Sequence, residues 1–169
     1  MVKGAARRLI FMSFTFRPAL AEDSAAIRAL LPRLAAFDIP ARRTPEDLWR
    51  NDEKALLAWL DGADANGFAH VAVNANKTIV GIIFTRLRKE LLSGEPSAHI
   101  EALAVADEAE GQGIASQLIT IAERVAAERG ARTLTLHVFE CNKRARRLYE
   151  RLGYDGELIR FIKDLPSSS

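Results

Sequence analysis

The stretch of sequence that most constrains the fold runs from residue 98 to residue 130. The apolar run at 98–106 is typical of a strand, and the run at 114–129 has the apolar spacing of a helix. In the turn between them, Gly111 and Gly113 let the backbone approach a ligand without a Cβ atom in the way. Such a turn presents a ring of backbone N–H groups, and the helix adds roughly half a positive charge. We therefore predict a phosphate-binding turn made of Glu110, Gly111, Gln112, Gly113, Ile114, Ala115 and Ser116.

A second segment starts at Asn142 and continues into a helix that is predicted over 143–152 and closed by Gly153. Asn142 and Tyr149 lie about two helical turns apart, roughly on one face. Taken alone, Asn142 is equally typical of a helix N-cap, and Tyr149 of a core aromatic residue. Because they follow the glycine turn on a shared face, both become candidates for the same site.

The rest of the chain changes between strand-like and helix-like runs without a regular repeat. Helices are predicted to begin at Glu22, Thr44, Ile114 and Lys143. Strands are predicted at 13–17, 68–73, 78–87, 98–106, 133–139 and 158–165. This order, β-α-α-β-β-β-α-β-α-β, favours an α/β fold of the mixed α+β kind over a doubly wound sheet. We expect a single domain at 13–166, a flexible leader at 1–12 and a flexible tail at 167–169.

Composition argues against several classes of function. The 24 Lys and Arg residues against 22 Asp and Glu give a net charge of +2, too balanced to indicate a nucleic-acid partner. The only cysteine, Cys141, excludes a disulfide framework and a cysteine-rich zinc site, and we expect no metal. No apolar run approaches the ~20 residues of a transmembrane helix. We therefore expect a cytoplasmic protein that binds neither nucleic acid nor membrane.

Together, the two segments resemble the GNAT superfamily of acyl-CoA-dependent N-acetyltransferases, and the order of elements is the one expected of that superfamily. The resemblance implies the GNAT fold, which is a central mixed, mostly antiparallel sheet of six to seven strands flanked by about four helices. It also implies acetyl-CoA (coenzyme A) as cofactor.

The family's turn reads Arg or Gln, two residues, Gly, one residue, then Gly or Ala. Gly113 and Ala115 match this pattern, but Glu110 stands where a cationic or neutral donor is usual. A carboxylate beside a diphosphate is electrostatically unfavourable. We therefore expect Glu110 to point to solvent or to pair with a nearby cation.

The resemblance assigns further cofactor-binding roles outside the turn. Asn142 would hydrogen-bond the pantetheine arm, and Tyr149 would lie beside the thioester sulfur. The arm would also meet the strand residues Leu103, Ala104 and Val105. One or two basic side chains of the last helix would meet the 3′-phosphate, and the sequence leaves open which of Lys143, Arg144, Arg146, Arg147 and Arg151 do so.

Acetyl transfer to a primary amine needs a base, because an alkylammonium has a pKa near 10 and cannot attack until it loses a proton. The family often has a Glu-Asp pair in the cofactor strand, and here the pair reads Glu101-Ala102. Glu101 is therefore the candidate base, directly or through water, with His99 and His137 as alternatives. Tyr149 is the candidate acid for the leaving thiolate. The implied route is direct attack in a ternary complex.

The acceptor stays open between a small-molecule amine and an amine of a protein or peptide. In the family it is shaped by the segments that correspond here to about 37–44, 89–97 and the last strand. The chain would act as a monomer or homodimer. A second hypothesis is an acyl-CoA-binding regulatory or interaction module without turnover, which the departures at Glu110 and Ala102 support.

Overall fold

The structure, a computed structural model, describes residues 13–165, so the predicted leader and tail lie outside the described residues. Within them, five strands form one sheet in chain order. They are β1 (Thr15–Pro18), β2 (Gly67–Val73), β3 (Ile79–Lys89), β4 (Pro96–Val105) and β5 (Thr133–Leu136). The first four strands pair antiparallel, and β5 lies parallel to β4. The mixed, mostly antiparallel sheet predicted from the order of elements is confirmed.

The α-helices of the described residues are α1 (Ser24–Leu30), α2 (Arg50–Leu60), α3 (Ile114–Glu128) and α4 (Lys143–Arg151). The predicted start at Thr44 produces a single 3-10 turn, Pro45–Leu48, directly before α2. The Thr44 hydroxyl accepts from the Asp47 N–H at 3.4 Å, and the Asp47 carboxylate accepts from the Thr44 N–H at 2.9 Å. No helix among residues 13–165 has the length and apolar character needed to cross a membrane.

Helices cover both faces of the sheet. On one face, a Cβ atom at Gly81 would lie 2.8 Å from Ile114 Cγ2, so β3 has a glycine where α3 comes closest. On the other face lie α1 and α2, and the ring of Trp59 is 6.0 Å from that of Phe84. The core fills both layers, and its largest fully buried side chains include Ile27, Leu31, Leu56, Phe84, Ile114 and Leu118.

The sheet has five strands among the described residues rather than six to seven, because the strand predicted at 158–165 does not form. Residues 155–165 are all exposed, and Phe161 is 90% exposed. A strand needs a partner for its backbone N–H and C=O groups, and apolar spacing alone does not supply one. The edge strand β5, with which a further strand would have to pair, is short, because it ends at Leu136 instead of the predicted residue 139.

Candidate active site

The glycine turn lies between the end of β4 and the start of α3. Gly111 and Gly113 have φ angles of 73° and 79°, in the left-handed region that favours glycine. Buried Ile114 fixes the first turn of α3 against the sheet. Within residues 13–165, the backbone N–H groups of 111–116 have no hydrogen-bond acceptor. A Cβ atom at Gly111 or Gly113 would meet nothing within 4 Å, so the space beside these two glycines is open.

Glu110 pairs with two cations, which is one of the two arrangements expected for it from the sequence. Its Oε1 accepts from Arg33 at 2.6 Å, and its Oε2 accepts from Arg144 at 2.5 Å. The hydrogen bond from Arg144, followed by the one from Arg33, holds the pKa of Glu110 below its ordinary value despite partial desolvation. The contact with Arg144 also joins the glycine turn to α4, so the two segments singled out in the sequence meet in space.

One edge of β4 is open beside the turn. β5 pairs with β4 only from Ser97 to Ile100, and beyond that point no other strand of residues 13–165 lies along the edge. The N–H of Ala106 donates to β3, and backbone direction alternates along a strand, so Leu103 and Val105 present their groups to the open edge. The backbone N–H and C=O groups of Ala104 point to β3 instead. Ala104 therefore has no free backbone group for the contact with the cofactor that was predicted for it. Sequence alone does not reveal this direction.

Arg33 reaches the same edge from the 3-10 turn Leu31–Ala35 that follows α1. Its Nε donates to the Val105 carbonyl at 3.3 Å, and its Nη2 also lies 3.2 Å from Asp107. The side chain is 29% exposed, so it is largely enclosed by these partners. Sequence analysis did not identify Arg33, because it lies far from the turn in the chain and belongs to no motif.

Glu101 occupies a bulge in β4. Phe84 is opposite Ala102 and Thr85 is opposite Ile100, so Glu101 has no residue across from it on β3. A bulge changes the direction of the side chain it carries and is frequent next to active sites. Glu101 stays a candidate base, and nothing in the sequence indicates the bulge.

Asp52, in the first turn of α2, is a second acid that sequence analysis missed. Burial and then the negative charge of Glu101 raise the pKa of Asp52 to about 7. In the sequence Asp52 is an ordinary acid near a helix N-terminus, where carboxylates are common. Only the folded chain brings Asp52 close enough to Glu101 for the negative charge of Glu101 to raise its pKa.

The two alternative bases form a pair in which His99 is fixed. Its ring lies 4.6 Å from that of His137, and its Nδ1 is 2.6 Å from an Arg88 nitrogen and 2.8 Å from the Thr135 hydroxyl. Burial, with the nearby charge of Arg88, lowers the pKa of His99 to about 3. At neutral pH His99 is therefore uncharged and a weak base, which favours the carboxylates.

Asn142 and Tyr149 occupy opposite ends of α4. The side-chain oxygen of Asn142 accepts from the Ala145 N–H at 3.1 Å, which makes it the N-cap. The Tyr149 ring packs edge-on against that of Tyr154 at 6.0 Å, and burial raises the pKa of Tyr149 to about 12. The Tyr154 hydroxyl donates to Glu123 at 2.9 Å. Tyr149 therefore stays protonated at neutral pH, and its hydroxyl has no partner among residues 13–165.

Fold and turn together define a protein of the acetyltransferase class. The acetyltransferase (GNAT) family matches residues 33–154, which include the turn, the open edge of β4 and α4. The chain belongs to this family.

Solved structures share the fold over nearly their whole length. A transcriptional regulator from Bacillus halodurans C-125 is 26% identical with a TM-score of 0.68, covering 90% of this chain and 100% of that one. Ribosomal-protein-alanine N-acetyltransferase from Brucella melitensis biovar Abortus 2308 is 20% identical with a TM-score of 0.66 and the same coverage. The aminoglycoside N-acetyltransferase AAC(6′)-Iy in complex with CoA is 18% identical with a TM-score of 0.69, covering 90% and 95%. A sequence search of curated proteins finds no match.

Proposed function

We propose that the chain is an acetyl-CoA-dependent N-acetyltransferase that acetylates a primary amine by direct attack in a ternary complex. The observation that carries the proposal is the open turn at 111–116, whose N–H groups lack acceptors among residues 13–165, next to the part of the β4 edge that no described strand covers. Family membership gives this arrangement its interpretation. A related fold that holds CoA supports the choice of cofactor.

The residues fit coenzyme A in charge and in space. The N–H groups at 111–116 would bind the diphosphate, because they converge on open space at the positive end of α3. Leu103 and Val105 would bind the amide groups of the pantetheine arm along the open edge, and the amide nitrogen of Asn142 is available as a donor. The bound cofactor would supply an acetyl thioester.

Two carboxylates would prepare the acceptor amine. Glu101 remains the candidate base, directly or through water, and Asp52 supplies a second acid that the strand itself lacks at Ala102. A pKa of about 7 suits a group that accepts a proton at neutral pH and releases it again. The pair of negative charges also attracts a protonated amine to the site.

Tyr149 would act as the acid. Its hydroxyl is protonated across the physiological range and has no partner among the described residues, so it can donate to the leaving sulfur. Placement of the amine and the thioester on one rigid sheet would supply much of the remaining rate enhancement.

The acceptor is an amine of a small molecule or of a protein or peptide. The rings of Phe37 and Phe139 lie 5.7 Å apart, and Arg42 pairs with Asp164 at 3.2 Å. These contacts join the 37–44 segment to the loop before α4 and to the C-terminal segment, and we propose that the acceptor binds near them. Relatives of this fold include a ribosomal-protein-alanine and an aminoglycoside acetyltransferase, and both kinds of amine belong in a first panel.

The alternative of an acyl-CoA-binding module without turnover depends on Glu110 and on the missing acid at position 102. The ion pairs of Glu110 with Arg33 and Arg144 neutralise its charge, and Asp52 provides a second acid from α2. The first departure is therefore compensated by ion pairs and the second by an acid from another element, which favours the enzyme.

Thermal unfolding with ligands tests the proposal. Acetyl-CoA and CoA should stabilise the protein by about 2.7 kcal/mol at 100 times their dissociation constants, whereas ATP and NAD should not. Release of free CoA should then accelerate with one class of amine in the panel. The absence of a thermal shift with millimolar acetyl-CoA would refute the proposed function, and a shift without turnover of any amine would favour the binding module.

A further inference from the structure

Position 110 is where this chain departs most from the family's phosphate-binding pattern. A carboxylate at the edge of the turn would repel a diphosphate if it were unpaired. Instead, Glu110 holds one guanidinium on each oxygen, and its side chain is 28% exposed. Counted with Arg33, Arg144 and Asp107, which also pairs with Arg33, the group carries no net charge, so the carboxylate of Glu110 is neutralised.

The two arginines differ in how much of the guanidinium is free. Arg33 is 29% exposed and is shared among Glu110, Asp107 and the Val105 carbonyl. Arg144 is 68% exposed, and one of its nitrogens contacts Glu110. Since a guanidinium has five N–H donors, Arg144 keeps donors available to a second anion while its position is fixed by the first.

Resting on the proposed function, we propose that Arg144, positioned by Glu110, is the cationic side chain that binds the diphosphate of coenzyme A. It would take the place of the Arg or Gln that the family has at the first position of the turn. Glu110 would then be a positioning residue that acts through Arg144.

The other basic side chains of α4 lack this contact. Arg146 is 200° around the helix from Arg144 and lies 3.6 Å from Glu150 of the same helix. Arg147 and Arg151 lie one and two turns further along α4, away from the end that meets Glu110. Arg146 therefore offers a matched control, because it has the same charge, lies on the same helix and is also exposed to solvent.

The experiment measures affinity by calorimetry for CoA, dephospho-CoA and pantetheine. Dephospho-CoA keeps the diphosphate and lacks the 3′-phosphate, and pantetheine has no phosphate. Arg144→Gln should weaken CoA and dephospho-CoA by the same factor, about tenfold, and leave pantetheine unchanged. Arg146→Gln should change the affinities for dephospho-CoA and pantetheine by no more than about twofold, since neither ligand carries the 3′-phosphate that a basic side chain of α4 would bind. Thermal unfolding without ligand checks that both variants fold.

The role of Glu110 is tested by a double-mutant cycle. If Glu110 positions Arg144, then Arg144→Gln should cost about tenfold in the wild-type background and only about twofold beside Glu110→Gln. An equal or larger cost in the Glu110→Gln background would overturn the positioning role.

The outcomes separate this inference from the proposed function. Failure of the wild-type protein to bind CoA would refute the proposed function and this inference with it. Normal CoA binding by the wild type, with equal dephospho-CoA affinities in Arg144→Gln and Arg146→Gln, would refute only the inference. A loss confined to CoA and absent with dephospho-CoA would place Arg144 on the 3′-phosphate and would likewise overturn the assignment to the diphosphate.

Discussion

Asp52 shows how a side chain that belongs to the candidate site can lower the free energy of unfolding. Burial and the charge of Glu101 raise its pKa from 3.8 to about 7. Between these two pH values the folded state binds a proton that the unfolded state has released. Stability therefore falls as pH rises from about 4 to about 7, and the loss is complete above pH 7.

Asp52→Asn should accordingly stabilise the protein at high pH. We expect the free energy of unfolding at pH 8 to rise by about 1 kcal/mol, since solvent screens a half-buried carboxylate, and Tm to rise by about 2–4 °C. Near pH 4 the difference from wild type should almost vanish. Thermal unfolding at the two pH values measures this, with exposed Asp155→Asn as the control. A destabilised Asp52→Asn protein at pH 8 would contradict the raised pKa.

Tyr149 and Tyr154 form a natural pair for testing the acid. Tyr149→Phe keeps the ring against Tyr154 and removes only the free hydroxyl, so turnover should fall by roughly 10²–10⁴-fold with CoA affinity nearly intact. Tyr154→Phe removes the hydrogen bond to Glu123 and should instead lower stability by about 1 kcal/mol. Kinetics with the identified acceptor, and unfolding of both variants, distinguish the two. If Tyr149→Phe and Tyr154→Phe turned over the acceptor at the same rate, the proton would have to come from a group other than the Tyr149 hydroxyl.

Among the elements, the turn before α3 depends on backbone conformation more than on side chains. Gly113 is the N-cap of α3 at a φ of 79°, and a side chain there would extend into the open space in front of the N–H groups. A residue with a Cβ atom is strained in this conformation by about 1–2 kcal/mol.

Gly113→Glu should therefore fold with a modest loss of stability and lose CoA binding, because its side chain and charge occupy the phosphate position. Gly62→Glu is a matched control: Gly62 has a φ of 77° and also has nothing within 4 Å of an added Cβ atom, but it lies at the end of α2. Calorimetry and unfolding of the two variants should show the same strain and different CoA affinity. Normal CoA affinity in a folded Gly113→Glu protein would move the phosphate site away from this turn.

The elements that could be predicted from the sequence are those whose signals are local. The helix over 114–129 and the turn before it have periodic apolar residues and glycines, and both occur within a residue or two of the prediction. The segment at 158–165 has strand-like composition, but pairing depends on an edge that its own sequence does not encode. The bulge at Glu101 likewise depends on two strands together.

For the molecule as a whole, the glycine turn and the Asn142–Tyr149 segment, together with the order of elements, were sufficient to predict the family, whose match covers residues 33–154. The contacts that refine the site were not predictable, because each joins residues that are remote in the chain. Arg33 and Arg144 meet at Glu110, and Asp52 approaches Glu101, only after the helices have packed on the sheet. Their chemistry is ordinary for surface residues until the fold is known.

The short parallel ladder between β4 and β5 affects how readily the C-terminal part of the described chain unfolds locally. Four residue pairs connect β5 to the sheet, and α4 follows it with Asn142, Arg144 and Tyr149. The Arg144–Glu110 ion pair and the Tyr154–Glu123 hydrogen bond also hold this part, but with so short a ladder we expect its amide protons to exchange through local unfolding before global unfolding. A ligand bound to both the glycine turn and α4 would suppress that opening in proportion to its own concentration. Under the proposed function, acetyl-CoA would thus regulate the lifetime of β5 and α4 in the folded state as well as supply the group that is transferred.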